Sequence, residues 1–116
     1  MRITEMSDEE ILAIADPWWD ELVKYSNNGN YLKFIKNFSK TFRQGANEME
    51  VGKQFARSKL ARTLSKDRDF LGIIRRGDYV TVLYRQRSTK LEGEWLGRLV
   101  LGFEDGQVRI FGATLF

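Results

Sequence analysis

The chain has 116 residues, 42% hydrophobic and 30% charged, with one proline and ten glycines; this size and composition fit one globular domain over 1–116 and exclude a fibrous or low-complexity chain. It contains no cysteine and no histidine, which removes disulfides, thiolate nucleophiles, imidazole bases and most zinc sites. Nineteen basic against sixteen acidic side chains give a net charge of +3, a weak bias towards an anionic partner.

No run approaches the roughly 18 apolar residues needed to cross a bilayer, so no membrane partner is expected. Met1-Arg2-Ile3-Thr4-Glu5 lacks the basic-then-apolar order of a secretion signal, and a cytoplasmic protein is expected. There is no EF-hand-like oxygen loop, phosphate loop or dinucleotide fingerprint; neither metal nor cofactor is expected. Charge is unevenly spread. Glu5, Asp8, Glu9, Glu10, Asp16, Asp20 and Glu21 make the beginning acidic, whereas Lys53, Arg57, Lys59, Arg62, Lys66, Arg68, Arg75 and Arg76 make the middle basic.

In chain order, Ser7 and Glu10 form a capping-box signature, with Met6 and Ile11 placed as a hydrophobic staple, so a first helix starts at Asp8. Ile11, Ile14, Ala15, Trp18, Leu22 and Tyr25 recur at helical spacing, which predicts Trp18 in the core and Trp19 at a cavity mouth, an interface or a second buried side. Pro17 interrupts the run, but the apolar phase survives across it, favouring a kinked or nearly continuous helix. Asn27-Asn28-Gly29 ends it and Asn30 caps the next. Tyr31, Phe34, Ile35, Phe38 and Phe42 line one side of a second helix, folded back on the first. A third is expected from Asn47 or Glu48 towards Ser65, anchored by Val51, Phe55, the stem of Lys59, Leu60 and Leu64.

From Phe70 the period changes to two, with turns at Gly77-Asp78 and Asp105-Gly106. Strands are expected near Phe70–Arg76, Tyr79–Thr89, Glu94–Glu104 and Gln107–Leu115, joined as an antiparallel meander. Pairing Glu104 with Gln107 sets Leu101 opposite Ile110 and Val100 opposite Phe111. In the preceding hairpin, Leu83 is aligned with Leu99 and Val82 with Val100. Both sheet faces then carry apolar side chains. The helices cover one, while the other lines a cavity, meets a second chain or curls over itself; a homodimer is expected.

Several segments together resemble the nuclear transport factor 2-like superfamily of cystatin-like α+β cones, and more closely a small prokaryotic family within it that has no established function. They are Asn30-Tyr31-Leu32-Lys33-Phe34, Phe70-Leu71-Gly72-Ile73-Ile74-Arg75-Arg76-Gly77, Val80-Thr81-Val82-Leu83-Tyr84, and Leu99-Val100-Leu101 through Asp105-Gly106 to Phe116. The resemblance implies an α+β fold of three N-terminal helices on a curved four-stranded antiparallel sheet. It also implies an interior pocket. The superfamily includes dehydratases, isomerases and cyclases as well as transport, assembly and ligand-binding modules, and its enzymes often use an aspartate–histidine pair that this histidine-free chain lacks.

The assumed register brings Tyr84 beside Arg98 on a face with Leu71, Val82, Val100 and Phe111, with Arg109 and Gln86 near the rim and Trp19 at the mouth. A phenol and a guanidinium against apolar walls suit a small anionic or oxygen-rich ligand; the plainer reading is an amphipathic patch or dimer contact. Asp16, Asp20, Glu92, Glu94, Tyr79 and Tyr84 are the remaining proton donors and acceptors, read as solvated helix and hairpin ends, with Asp16 as a cap. No catalytic residue is assigned. The expected function is a noncatalytic small-ligand-binding or homo-oligomeric assembly module. The alternatives are an enzyme of dehydratase, isomerase or cyclase type with a histidine-free pocket, and nonspecific nucleic-acid binding through the basic middle segment, which has no recognition motif to support it.

Overall fold

A computed structural model of the chain describes residues 2–45 and 58–116. After a short 3₁₀ turn at Ile3–Glu5, helix α1 spans Asp8–Asn28, and two short helices follow, α2 at Tyr31–Phe34 and α3 at Lys40–Gly45. Strands β1 (Leu64–Arg76), β2 (Tyr79–Ser88), β3 (Glu94–Glu104) and β4 (Gln107–Leu115) form one antiparallel sheet in sequence order. The three N-terminal helices pack against this sheet, giving the α+β arrangement that the resemblance implies. No helix among the described residues is long and apolar enough to cross a membrane.

The start of α1 follows its sequence signature. Ser7 Oγ accepts from the Glu10 amide and the Glu10 carboxylate accepts from the Ser7 amide, satisfying two donors that a helix N-terminus otherwise leaves open. The helix runs through Pro17 without a break and ends at Gly29, whose φ of +67° is cheap only for glycine. Its buried stripe is Ile11, Ala15, Trp19, Leu22, Val23 and Ser26. The expected order of the tryptophans is therefore reversed: Trp19 lies in the core and Trp18 on its margin.

The expected second helix is divided. Asn37 and Ser39 form backbone hydrogen bonds with Ile110, each 2.8 Å long, and Phe38 makes a parallel bridge to Ile110. The amides and carbonyls of this segment thus complete the edge of β4 instead of continuing a helix. Its aromatic side chains still pack together, with the Phe34 and Phe38 rings edge-on at 5.5 Å and those of Phe38 and Phe42 stacked at 4.4 Å. Most of the expected third helix lies outside the described residues. Its projected end is replaced by a 3₁₀ turn at Leu60–Arg62, and β1 begins at Leu64, six residues before the sequence expectation.

The β3–β4 hairpin begins in the expected register, Glu104 opposite Gln107 and Leu101 opposite Ile110. An irregularity between Val100 and Leu101 then sets Val100 opposite Gly112, so the expected Val100–Phe111 pair does not form. Between β2 and β3 the register differs by one residue: Val82 pairs with Leu99, Leu83 with Arg98 and Tyr84 with Gly97. A one-residue slip turns a strand over. Val80, Val82, Tyr84 and Gln86 consequently face the helices with Leu99 and Leu101, while Leu83 faces away.

Candidate functional site: the two faces of the sheet

The helix-facing side of β2 carries the buried polar groups. Gln86 is fully buried; its Oε1 accepts from Trp19 Nε1 at 2.9 Å, and its Nε2 donates to the carbonyls of Ser65 and Arg87 at 2.8 and 2.9 Å. The amide is thereby satisfied without water. The Trp19 and Tyr84 rings lie 5.0 Å apart at an interplanar angle of 32°. Tyr84 pairs across the sheet with Gly97, where a Cβ would come within 2.7 Å of the Trp19 ring. Glycine there makes room for the indole.

The Tyr84 hydroxyl donates to Asp16 Oδ1 at 2.8 Å. Burial, reinforced by this carboxylate, pushes the phenol far above its ordinary value, so it remains a protonated donor at neutral pH. Arg68 stands over the Tyr84 ring with its guanidinium carbon 5.2 Å from the centroid, donates to the Asp16 carbonyl at 3.1 Å and forms an ion pair with Asp20. Asp16 is thus held by cross-element contacts beyond the capping role expected of it. Every buried side-chain polar atom among the described residues has a partner. On this face, Trp19, Tyr84 and Gln86 form a packed and mutually satisfied cluster.

The opposite, outer face is uncovered by α1–α3. The pairing gives one row of Ile74, Thr81, Val100 and Gly112 across all four strands, a second of Leu83, Arg98 and Thr114 across β2–β4, and a third of Arg85, Leu96 and the extended Phe116. Tyr79 and Phe111 meet edge-on at 5.1 Å over Gly102, where a Cβ would lie 2.8 Å from the tyrosine ring. Ile74 is 52% exposed and Phe116 65%. At one end, Asp69 and Glu94 engage Arg85 and Arg87 at 2.8–3.6 Å. Arg87 beside Asp69 holds that carboxyl below its usual range, and the same contact raises the Arg87 guanidinium.

The five sequence-nominated ligand residues therefore fall into two groups. Trp19, Tyr84 and Gln86 converge beneath α1; Arg98 and Arg109 lie on the outer face, where Arg98 sits 4.8 Å from the Phe116 centroid and Arg109 donates to Gln107 Oε1 at 2.6 Å. The proposed Tyr84–Arg98 pair does not form, because the register directs the two side chains to opposite faces. Asp16 and Arg68 are the partners sequence reasoning missed, separated from Tyr84 by 68 and 16 positions in the chain and united only by the packing of α1 on the sheet.

The basic middle segment is partly engaged within the protein. Arg75 contacts Asp8 at 2.6 Å and the Met6 carbonyl, Arg68 contacts Asp16 and Asp20, and Arg62 donates to the Asn27 carbonyl. Lys53 and Arg57 lie outside the described residues. Among the described residues, no three acidic, histidine or cysteine side chains gather at metal-binding distance. Compared with protein-family models, curated proteins and solved structures, the chain matches none.

Proposed function

We propose that this chain is a noncatalytic homo-oligomeric assembly module whose copies associate through the outer face of the sheet. The observation that carries this reading is the apolar surface formed by Ile74, Leu83, Leu96, Val100 and Phe111, with Tyr79 and Phe116 at its margins. Four strands spaced about 4.8 Å apart and about ten residues long at about 3.3 Å per residue present a footprint of about 600 Å²; with side-chain relief this approaches the roughly 800 Å² per partner of a stable interface. Aromatic and arginine side chains on such a surface match the composition of interface centres. A two-fold arrangement places the same patch on both copies and closes without leaving an open chain of contacts.

The packed helix-facing side supports a noncatalytic role. Tyr84 is engaged with Asp16, Gln86 with Trp19 and two carbonyls, and Trp19 occupies the space above Gly97. Acid–base catalysis needs a group with a proton to exchange at working pH and space for a reacting atom, and a phenol held protonated beneath a helix offers neither. Distant membership in the nuclear transport factor 2-like superfamily is part of this proposal, supported by the order of three helices and four antiparallel strands.

Light scattering over a concentration series tests the reading. A mass near twice the 13.6 kDa of the chain, falling towards 13.6 kDa on dilution, is expected. A constant 13.6 kDa from low micromolar to millimolar concentration contradicts it.

A further inference from the structure

Charge on the outer face is lopsided. The pairing places Arg76, Arg85, Arg87, Arg98 and Arg109 there, together with Asp69 and Glu94. The two carboxylates are engaged by Arg85 and Arg87, and Glu104 at the far end accepts from the Lys40 amide at 3.1–3.2 Å. Among the described residues, no carboxylate lies within ion-pair distance of Arg76, Arg98 or Arg109. Two copies of this face therefore bring like charges together, and repulsion at that range opposes association.

Arg98 is placed differently from the other two. It lies between Leu83 and Thr114, one pair from Thr81 and Val100 on one side and from Arg85 and Leu96 on the other, so it stands inside the apolar surface. The Phe116 ring supports the guanidinium at 4.8 Å. Stacking of this kind leaves the N–H fork at the guanidinium edge free for paired oxygens. The Thr114 position directly opposite adds a hydroxyl on the same face. A guanidinium enclosed by a second copy without a counter-charge weakens the association, because its desolvation is not fully repaid.

We propose that Arg98 is an anion-binding residue of the association face, and that two copies hold between them an oxyanion carrying at least two negative charges, such as a polycarboxylate or a polyphosphate. The inference rests on the association reading and adds a ligand to it. By two-fold symmetry both copies present Arg98. One multivalent anion then neutralises both guanidiniums through bidentate charge-assisted hydrogen bonds, while the apolar rows close around it.

Sedimentation velocity at matched ionic strength in chloride, citrate and pyrophosphate tests this, using the whole chain and an Arg98→Leu variant. For the native chain, citrate, pyrophosphate or both should lower the dimer dissociation constant at least tenfold relative to chloride; comparison of the two identifies carboxylate or phosphate as the preferred chemistry. Arg98→Leu should dimerise in chloride at least as tightly as the native chain does with its preferred anion, and respond to neither. A native dimer indifferent to both anions, or an Arg98→Leu variant that responds equally, overturns the anion site and leaves the association reading standing. Absence of a dimer from both proteins in all three solutions overturns both.

Discussion

Trp19 occupies the volume that a side chain at position 97 would need, so these two residues are one structural decision made on two elements. A Gly97→Ala chain must displace the indole, which also donates to Gln86; overpacking of this kind costs about 1–3 kcal/mol, measurable by urea unfolding. The Tyr84 hydroxyl bond to half-exposed Asp16 has a smaller expected effect. Tyr84→Phe should retain the fold and lose about 1 kcal/mol at neutral pH. It should also change the alkaline limb of stability. The folded phenol titrates well above the unfolded value of about 10, so the contribution is complete below pH 10 and declines as the unfolded phenol ionises above it. Between pH 9 and 11 the native protein should therefore lose more stability than Tyr84→Phe; equal losses contradict the assigned environment.

At the scale of elements, α1 was legible where local chemistry decides and illegible where tertiary contacts do. Its start is written in Ser7 and Glu10, its end in Asn27-Asn28-Gly29, and both appear as read. Ser7→Ala should cost about 0.5–2 kcal/mol of unfolding free energy. The Ser7 backbone amide, which this variant keeps, holds the Glu10 carboxyl below its usual range, so the stabilisation from that amide–carboxylate bond is present above the unfolded carboxylate range and lost as pH falls through the lowered folded value. The buried face of α1 was less readable. Adjacent tryptophans offer two helix rotations with similar apolar stripes, and the choice rests on Gln86 and Gly97, which lie 67 and 78 positions beyond Trp19. Strand β2 posed the same difficulty: Val82 and Leu83 suit either face, so hydrophobic alternation left its register open. Contacts from Tyr84 and Gln86 to Asp16, Trp19 and Ser65 accompany the register observed. That one-residue difference separated Tyr84 from Arg98 and dissolved the candidate site built on them. The second helix divided because Asn37 and Ser39 found backbone partners at Ile110, a pairing no helical period could disclose.

For the whole molecule, the sheet divides the labour between a helix-facing side that is packed and satisfied and an outer side that is apolar, aromatic and arginine-rich. Both faces carry apolar groups, as the strand sequences imply, and this holds although β2 is turned over, because its two faces are similarly hydrophobic. If the outer face mediates association, a charge placed at its centre should separate the copies without unfolding them. Leu83 is suited to this test because it points away from the helices and lies beside Arg98. Leu32, 72% exposed on α2, provides a control on another surface. The decisive measurement is sedimentation equilibrium of the native chain, Leu83→Lys and Leu32→Lys under one solution condition, with circular dichroism verifying that all three are folded. The account predicts a concentration-dependent dimer for the native chain and Leu32→Lys, and a 13.6 kDa monomer for Leu83→Lys; a folded Leu83→Lys chain that dimerises as tightly as the native one contradicts it.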